Sequence, residues 1–221
     1  METRSITLTF HGIGSPLREL EPSEADVWLS RHRFLSVLDS TARQDGVRIT
    51  FDDGNSSDIE HALPALRERG LRATFFVVAS RIGTPGFLDA GAIRELRAAG
   101  MGIGCHGMRH RRWAGLDERS LREELVDARA MIEEISEHPV TEAACPFGSY
   151  DRRVLRTLRE SGYRRVYTSD RGTARCGDFL QVRNTVAAGD GTDLLDRIAE
   201  TDASSLRALG RRTKLAVKRW R

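Results

Sequence analysis

Val47-Arg48-Ile49-Thr50-Phe51-Asp52-Asp53-Gly54 reads as a short apolar strand that ends on two adjacent carboxylates and a glycine. Further along, Met101-Gly102-Ile103-Gly104-Cys105 runs in the same way into His106-Gly107-Met108-Arg109-His110, which sets two imidazoles four residues apart. One carboxylate and two histidines make a three-ligand set for a divalent metal and leave a coordination position open, which distinguishes catalytic from structural zinc sites. The carboxylate left over can serve as a base toward an activated water. Together the two blocks imply metal-assisted hydrolysis.

Outward from these blocks, strand-like and helix-like segments alternate. Residues 6–10 alternate as a strand ending at His11-Gly12, and a helix is expected over about 26–43. Residues 59–69 carry helical spacing, shortened or kinked by Pro64 and closed by Gly70. Residues 72–79 form the most apolar strand, buried on both faces. A short helix is expected over 92–99 and a long one from the Asp117 cap to about Glu137, with Leu121, Leu125, Ala128, Ile132 and Ile135 at core spacing. A short strand over 143–146, a helix from the Asp151 cap to 161, and strands over 163–169 and 179–183 complete the order. His61 and His138 are expected on helices away from the reactive residues, and Cys105 and Cys145 as small buried side chains.

This alternation predicts a parallel sheet covered by helices. His11, Asp52 and Asp53, His106, Pro146-Phe147-Gly148 and Asp170 all fall at or just beyond the C-terminal end of a predicted strand. In a closed ring of parallel strands that rim is where active sites assemble. The expected fold is therefore α/β: a distorted (β/α) barrel of parallel strands, one domain over residues 1–200, with a tail over 201–221. No nucleotide-binding glycine loop is present to favour an open doubly wound sheet.

Composition agrees with one globular domain: 221 residues, 39% hydrophobic, net charge +3. Three widely spaced cysteines contain no Cys-x-x-Cys pair, so reduced thiols in the cytoplasm are expected rather than disulfides. The N-terminus reads directly into a strand and not as a signal peptide, and no apolar run reaches the roughly 20 residues of a membrane span. The tail carries Arg207, Arg211, Arg212, Lys214, Lys218, Arg219 and Arg221 with no acidic residue from 206 on, beside a stripe of Leu206, Leu209, Ala216, Val217 and Trp220. Such a basic amphipathic segment suits the anionic inner surface of a membrane, or a helix docked on the barrel. Without a recognisable binding module, nucleic acid is not expected as a partner.

In order and spacing, residues 47–170 resemble the polysaccharide deacetylase family, also called NodB-homology or carbohydrate esterase family four. Thr50-Phe51-Asp52-Asp53-Gly54 matches its T-F-D-D-G motif, and the resemblance implies Asp52 as catalytic base and Asp53 as metal ligand. His106 and His110 match the ligands of H-[ST]-x-x-H, with Gly107 in place of the hydroxyl residue. Pro146-Phe147-Gly148-Ser149-Tyr150 resembles the end of R-x-P-[FY]-G, which implies a groove wall and an oxyanion donor at the Phe147 backbone N–H, with Tyr150 and Phe147 able to stack on sugar. The metal implied is zinc first, with cobalt, nickel or manganese as alternatives.

Two departures stand out. Ala144 occupies the position of the family's arginine, and no histidine follows His138 to act as the late general acid. His11, at the end of the first strand, is the expected replacement acid. Arg171 or Arg183 is expected to replace the arginine that orients Asp52, and Asp170 is a candidate supporting carboxylate or a turn former. The resulting expectation is a cytoplasmic hydrolase that removes an N-acetyl group from an amino sugar in glycan or glycolipid assembly. Its rivals are a metal-containing carbohydrate-binding protein on a degenerate frame, and an amidase for other C–N bonds.

Overall fold

The computed structural model describes residues 4–20 and 24–203. Eight strands follow one another around a nearly closed barrel in the order β7-β1-β2-β3-β4-β5-β6-β8, and a ninth, β9, also pairs with β1. The strands are β1 (Arg4–Phe10), β2 (Val47–Phe51), β3 (Ala73–Val77), β4 (Gly102–Cys105), β5 (Glu142–Ala144), β6 (Arg165–Thr168), β7 (Thr173–Arg175), β8 (Leu180–Val182) and β9 (Asn184–Thr185). All pairings are parallel except β1 with β7, a three-residue antiparallel strand that the sequence pattern did not reveal.

Register explains how the barrel divides polar from apolar residues. Phe10, Phe51 and Phe75 are partners across β1, β2 and β3, and their rings face the helices, with centroids 5.3 Å and 4.6 Å apart along the row. One residue earlier, Thr9, Thr50 and Thr74 form the adjacent row on the opposite face, as the two-residue period requires. The core thus lies mainly between sheet and helices, while the barrel interior carries threonines together with Phe76, Ala144 and Tyr167. Strand β3 is buried on both faces, as its composition implied.

Closure depends on one change of partner. β8 pairs with β6, the chain passes through Arg183, and β9 then pairs with β1 through Leu8↔Asn184 and Thr9↔Thr185. The segment 180–185 therefore bridges the two sides of the barrel, and Arg183 stands at the crossing. The backbone N–H of Arg183 donates to Thr168 at 3.0 Å, and its carbonyl accepts from Arg171 N–H at 3.1 Å.

The helices are α1 (Arg31–Thr41), α2 (Leu63–Glu68), α3 (Ala90–Ala98), α4 (Glu118–Arg122), α5 (Ala128–Ser136), α6 (Arg152–Glu160) and α7 (Leu194–Ala203). α1 begins later than the expected residue 26, because Ser30 caps it by accepting from Arg33 N–H, and only a short turn at Ala25–Val27 precedes it. Pro64 falls in the first turn of α2, directly after a wide π turn over Asp58–Ala62, so the helical segment changes its winding next to the residue that cannot donate. A second π turn, Glu123–Asp127, joins α4 to α5, so the expected long helix carries an extra residue in its middle. α7 runs across the expected boundary at residue 200, and the basic segment from 204 onward lies outside the described residues. Among the described residues no helix is long and apolar enough to cross a membrane.

Candidate active site

Asp52 and Asp53 leave β2 at its C-terminal end. Asp52 continues the inward row of Thr50, so Asp53 would point away from it if the strand went on unchanged. Asp53 instead adopts φ 76°, a left-handed conformation that aspartate tolerates better than most residues, and this brings its carboxylate back to the same side. The Nε2 atom of His106 then lies 3.7 Å from Asp52 Oδ2 and 3.9 Å from Asp53 Oδ1. His110, itself at φ 53°, places Nε2 3.3 Å from Asp53 Oδ1.

One ligand atom each from Asp53, His106 and His110 lies within 4.8 Å of the others. The Nδ1 atom of His106 lies 2.8 Å from the carbonyl oxygen of Ala144, a bond that fixes the proton on Nδ1 and leaves the Nε2 lone pair aimed at the carboxylates. Burial, then repulsion from His106, pushes His110 down to about 4, so at neutral pH it is uncharged, the form that is able to ligate a metal. Burial alone would raise both carboxyls, but Arg183 and His106 hold Asp52 well below the usual range, and His110, His11 and His106 hold Asp53 down. Two imidazoles and an ionised carboxylate on one small volume fit a divalent cation.

The strongest contact to Asp52 comes from across the barrel. Arg183, 1% exposed, donates Nη1–H to Oδ1 at 2.6 Å and Nη2–H to Oδ2 at 2.7 Å. Its guanidinium lies over Phe76 and Tyr167, 5.3 Å and 5.8 Å from the ring centroids, beside Ala144 in the same cluster. Arg171, the other arginine expected to reach Asp52, is exposed on the rim, and only its backbone N–H bonds to Arg183. The expectation for Arg171 is therefore corrected: β8 carries its side chain inward at Arg183, whereas Arg171 sits on a left-handed turn outside.

The other expected residues divide into two groups. His11 is close enough that its charge acts on both Asp52 and Asp53, and its buried Nδ1 has no hydrogen-bond partner among the described residues. Phe147, in a left-handed conformation and 49% exposed, lies against His110 with ring centroids 4.6 Å apart and planes tilted by 44°, while Pro146 and Gly148 are buried in the same turn. Tyr150 is buried and donates its O–H to Asp170 at 3.0 Å, so its ring is not a wall open to sugar and Asp170 is bound to Tyr150. His61 lies closer to the rim than expected, against Gly14 in the loop after β1. Cys105 is buried and burial pushes its thiol up to about 11, which suits a core side chain better than a ligand.

Three participants escaped the sequence reading. Glu124, fully buried in the second π turn, accepts from Met108 N–H at 2.9 Å, Arg109 N–H at 3.2 Å and Trp113 Nε1–H at 3.4 Å, and so holds the loop that carries both histidines. A Cβ on Gly107, at φ +84°, would overlap Glu124 Oε2, so glycine here is the partner of that carboxylate. The signal for Glu124 was present: it falls on the apolar stripe between Leu121 and Ala128. Asp58, fully buried, has neither oxygen hydrogen-bonded among the described residues, and burial plus the charges of Asp53 and Asp52 push its carboxyl well above the usual range. Arg81 reaches Asp53 Oδ1 at 3.4 Å from the turn after β3.

A sequence profile described as Polysaccharide deacetylase matches residues 39–166, more than half of the chain. The chain belongs to the polysaccharide deacetylase family. As a polysaccharide deacetylase it is 27% identical over 155 residues to YxkH of Bacillus subtilis (strain 168), a protein named for the same family, covering 70% of this chain and 53% of that one. It is also 27% identical over 124 residues to a peptidoglycan-N-acetylglucosamine deacetylase of Bacillus cereus, covering 56% of each. The chain thus spans about half the length of the curated relatives it matches. Its fold is shared with the Streptococcus pyogenes deacetylase PplD in complex with acetate, at TM-score 0.78 and 18% identity over 90% of this chain and 99% of that one. The same fold is found in BA0330 of Bacillus anthracis, at TM-score 0.77 and 17% identity over 89% and 69%.

Proposed function

We propose that this chain is a metal-dependent deacetylase that hydrolyses the N-acetyl group of an amino sugar within a glycan or glycolipid. The observation that carries the reading is the pairing of a three-donor cluster, Asp53, His106 and His110, with a separate carboxylate, Asp52, at the end of the same strand. A cluster for binding alone has no use for that second, ionised carboxylate.

Asp52 is the base in this reading. With Arg183 on both oxygens it is held in one orientation, and its proton affinity is low. So weak a base works only on an acidified water, and a cation held by Asp53, His106 and His110 supplies that acidity together with polarisation of the acetyl carbonyl. The Phe147 backbone N–H is the proposed donor to the oxyanion, and His11 the proposed acid that delivers a proton to the departing amine. Phe147, 49% exposed beside His110, is the proposed apolar contact for the sugar at the edge of the site.

The test is release of acetate from N-acetylglucosamine oligomers by the metal-loaded protein, before and after chelation, and by Asp52→Asn. Acetate release that stops on chelation, returns with added zinc, cobalt, nickel or manganese, and is lost in Asp52→Asn supports the reading. Oligomer binding without any acetate release would sink it in favour of a carbohydrate-binding protein on the same frame.

A further inference from the structure

The rim of the site holds two arginines in an unusual setting. Arg81 lies over the ring of Phe87, its Cζ 5.0 Å from the centroid, on the Asp53 side of the cluster. Arg112 lies over the ring of Phe147, its Cζ 4.7 Å from the centroid, and Phe147 in turn contacts His110 in a tilted pair. Each guanidinium thus lies over an aromatic ring beside a member of the donor cluster. Arg81 uses Nη1 on Asp53, and Arg112 has no carboxylate partner among the described residues, so both keep guanidinium N–H groups that can take a carboxylate or phosphate.

Carboxylates on the surrounding loops are already committed. Asp89 accepts from Ala92 N–H at 2.8 Å, Asp117 from Ser120 N–H at 2.8 Å, Asp151 from Val154 N–H at 2.9 Å, and Asp170 from the Tyr150 hydroxyl at 3.0 Å. Asp53, the nearest acceptor for Arg81, is shared with both histidines of the cluster. The mouth of the site thus carries Arg112, exposed and without a carboxylate partner among the described residues, and Arg81, paired only with Asp53; a neutral sugar requires neither charge.

We propose that the substrate of this site carries an anionic group, phosphoryl or carboxylate, next to the N-acetylated sugar, and that Arg81 and Arg112 bind it. The proposal rests on the deacetylase reading and narrows its substrate class. It makes Arg112 a specificity residue: its guanidinium meets Phe147, which in turn contacts His110, and Arg112 is not part of the donor cluster itself.

The experiment compares three substrates at low ionic strength: a neutral N-acetylglucosamine oligomer, the same oligomer carrying a phosphate, and an oligomer containing N-acetylmuramic acid, whose lactyl group supplies a carboxylate. The wild-type protein should show kcat/KM at least tenfold higher for one or both anionic substrates, mostly through KM, and the preference should shrink as salt is raised. Which anionic arm is preferred identifies the source of the charge. Arg112→Gln should reduce the anionic-to-neutral ratio tenfold or more, and Arg112→Glu should invert it. Arg112 is exposed, so these variants should fold, and Arg81→Gln gives an independent second reading. Equal turnover of neutral and anionic substrates by the wild type, or a ratio untouched by Arg112→Gln, overturns the proposal and leaves the deacetylase reading standing. No acetate from any of the three would overturn both.

Discussion

Arg183 and Asp52, 131 residues apart in the chain, form a two-pronged ion pair inside the barrel at 2.6 and 2.7 Å. The pair ties the strand that closes the barrel to the strand that carries the proposed base. Ala144, small and in contact with the same Phe76–Tyr167 cluster, leaves the room that the arginine fills. An arginine implied on β5 by the family motif is thus matched by one that arrives from the junction of β8 and β9.

Arg183→Met should lower kcat by more than it raises KM, because the side chain orients Asp52 and does not meet the sugar. It should also destabilise the fold by about 3–5 kcal/mol, the range for breaking one side of a buried pair. The folded pKa of Asp52 lies below its unfolded value, so the pair stabilises the protein above about pH 4 and that contribution fades as pH falls through the folded pKa. Without Arg183, burial pushes Asp52 upward, so the acidic limb of kcat against pH should move to higher pH. Arg183→Lys should recover part of the stability and little of the rate, since one ammonium cannot span both oxygens. An acidic limb left in place would remove Arg183 from this role.

His11→Gln should lower kcat by about 10²–10⁴-fold, the usual worth of a general acid, and should flatten the alkaline limb of the pH profile. Steady-state acetate release from pH 5 to 9 reads both effects. Unchanged turnover and profile would assign the amine proton to another donor.

Gly107→Ser restores the family's hydroxyl residue, yet it should destabilise this chain, because a Cβ there meets Glu124 and the backbone is left-handed. Glu124→Ala should cost about 1–3 kcal/mol by leaving the buried indole N–H of Trp113 and the part-buried N–H groups of Met108 and Arg109 without their acceptor. The double variant should be clearly less damaged than the sum of the two, since the alanine removes the clash. Thermal unfolding of the four proteins decides the matter, and simple additivity would refute the coupling.

Asp58→Asn should stabilise the metal-free protein more at pH 7 than at pH 4. In the unfolded chain Asp58 ionises near about pH 3.9, whereas burial and the charges of Asp53 and Asp52 keep it protonated in the fold. Between those two pKa values the folded state binds more protons, so the stability contributed by Asp58 falls as pH rises. Asparagine removes that slope. Urea unfolding at the two pH values measures it, and an equal effect at both would mean that Asp58 is ionised in the folded protein.

The sequence by itself determined the periodicity of the strands, the carboxylate pair, the histidine pair and their common rim, because each is written in residues a few positions apart. Strand alternation directs a side chain inward or outward, and a turn after a strand places it at the barrel mouth, whatever the rest of the chain does. The partner of each buried charge was decided only by the tertiary structure. Arg183 and Arg171 are equally close to a late strand in sequence, but only one lies on the inward face where β8 passes into β9. Glu124 reaches the histidine loop from a π turn in the helix beneath it, and Asp53 reaches His106 and His110 because it is itself left-handed. Local sequence fixes which direction a group points, whereas what it meets there depends on strand order and on the space that distant side chains leave.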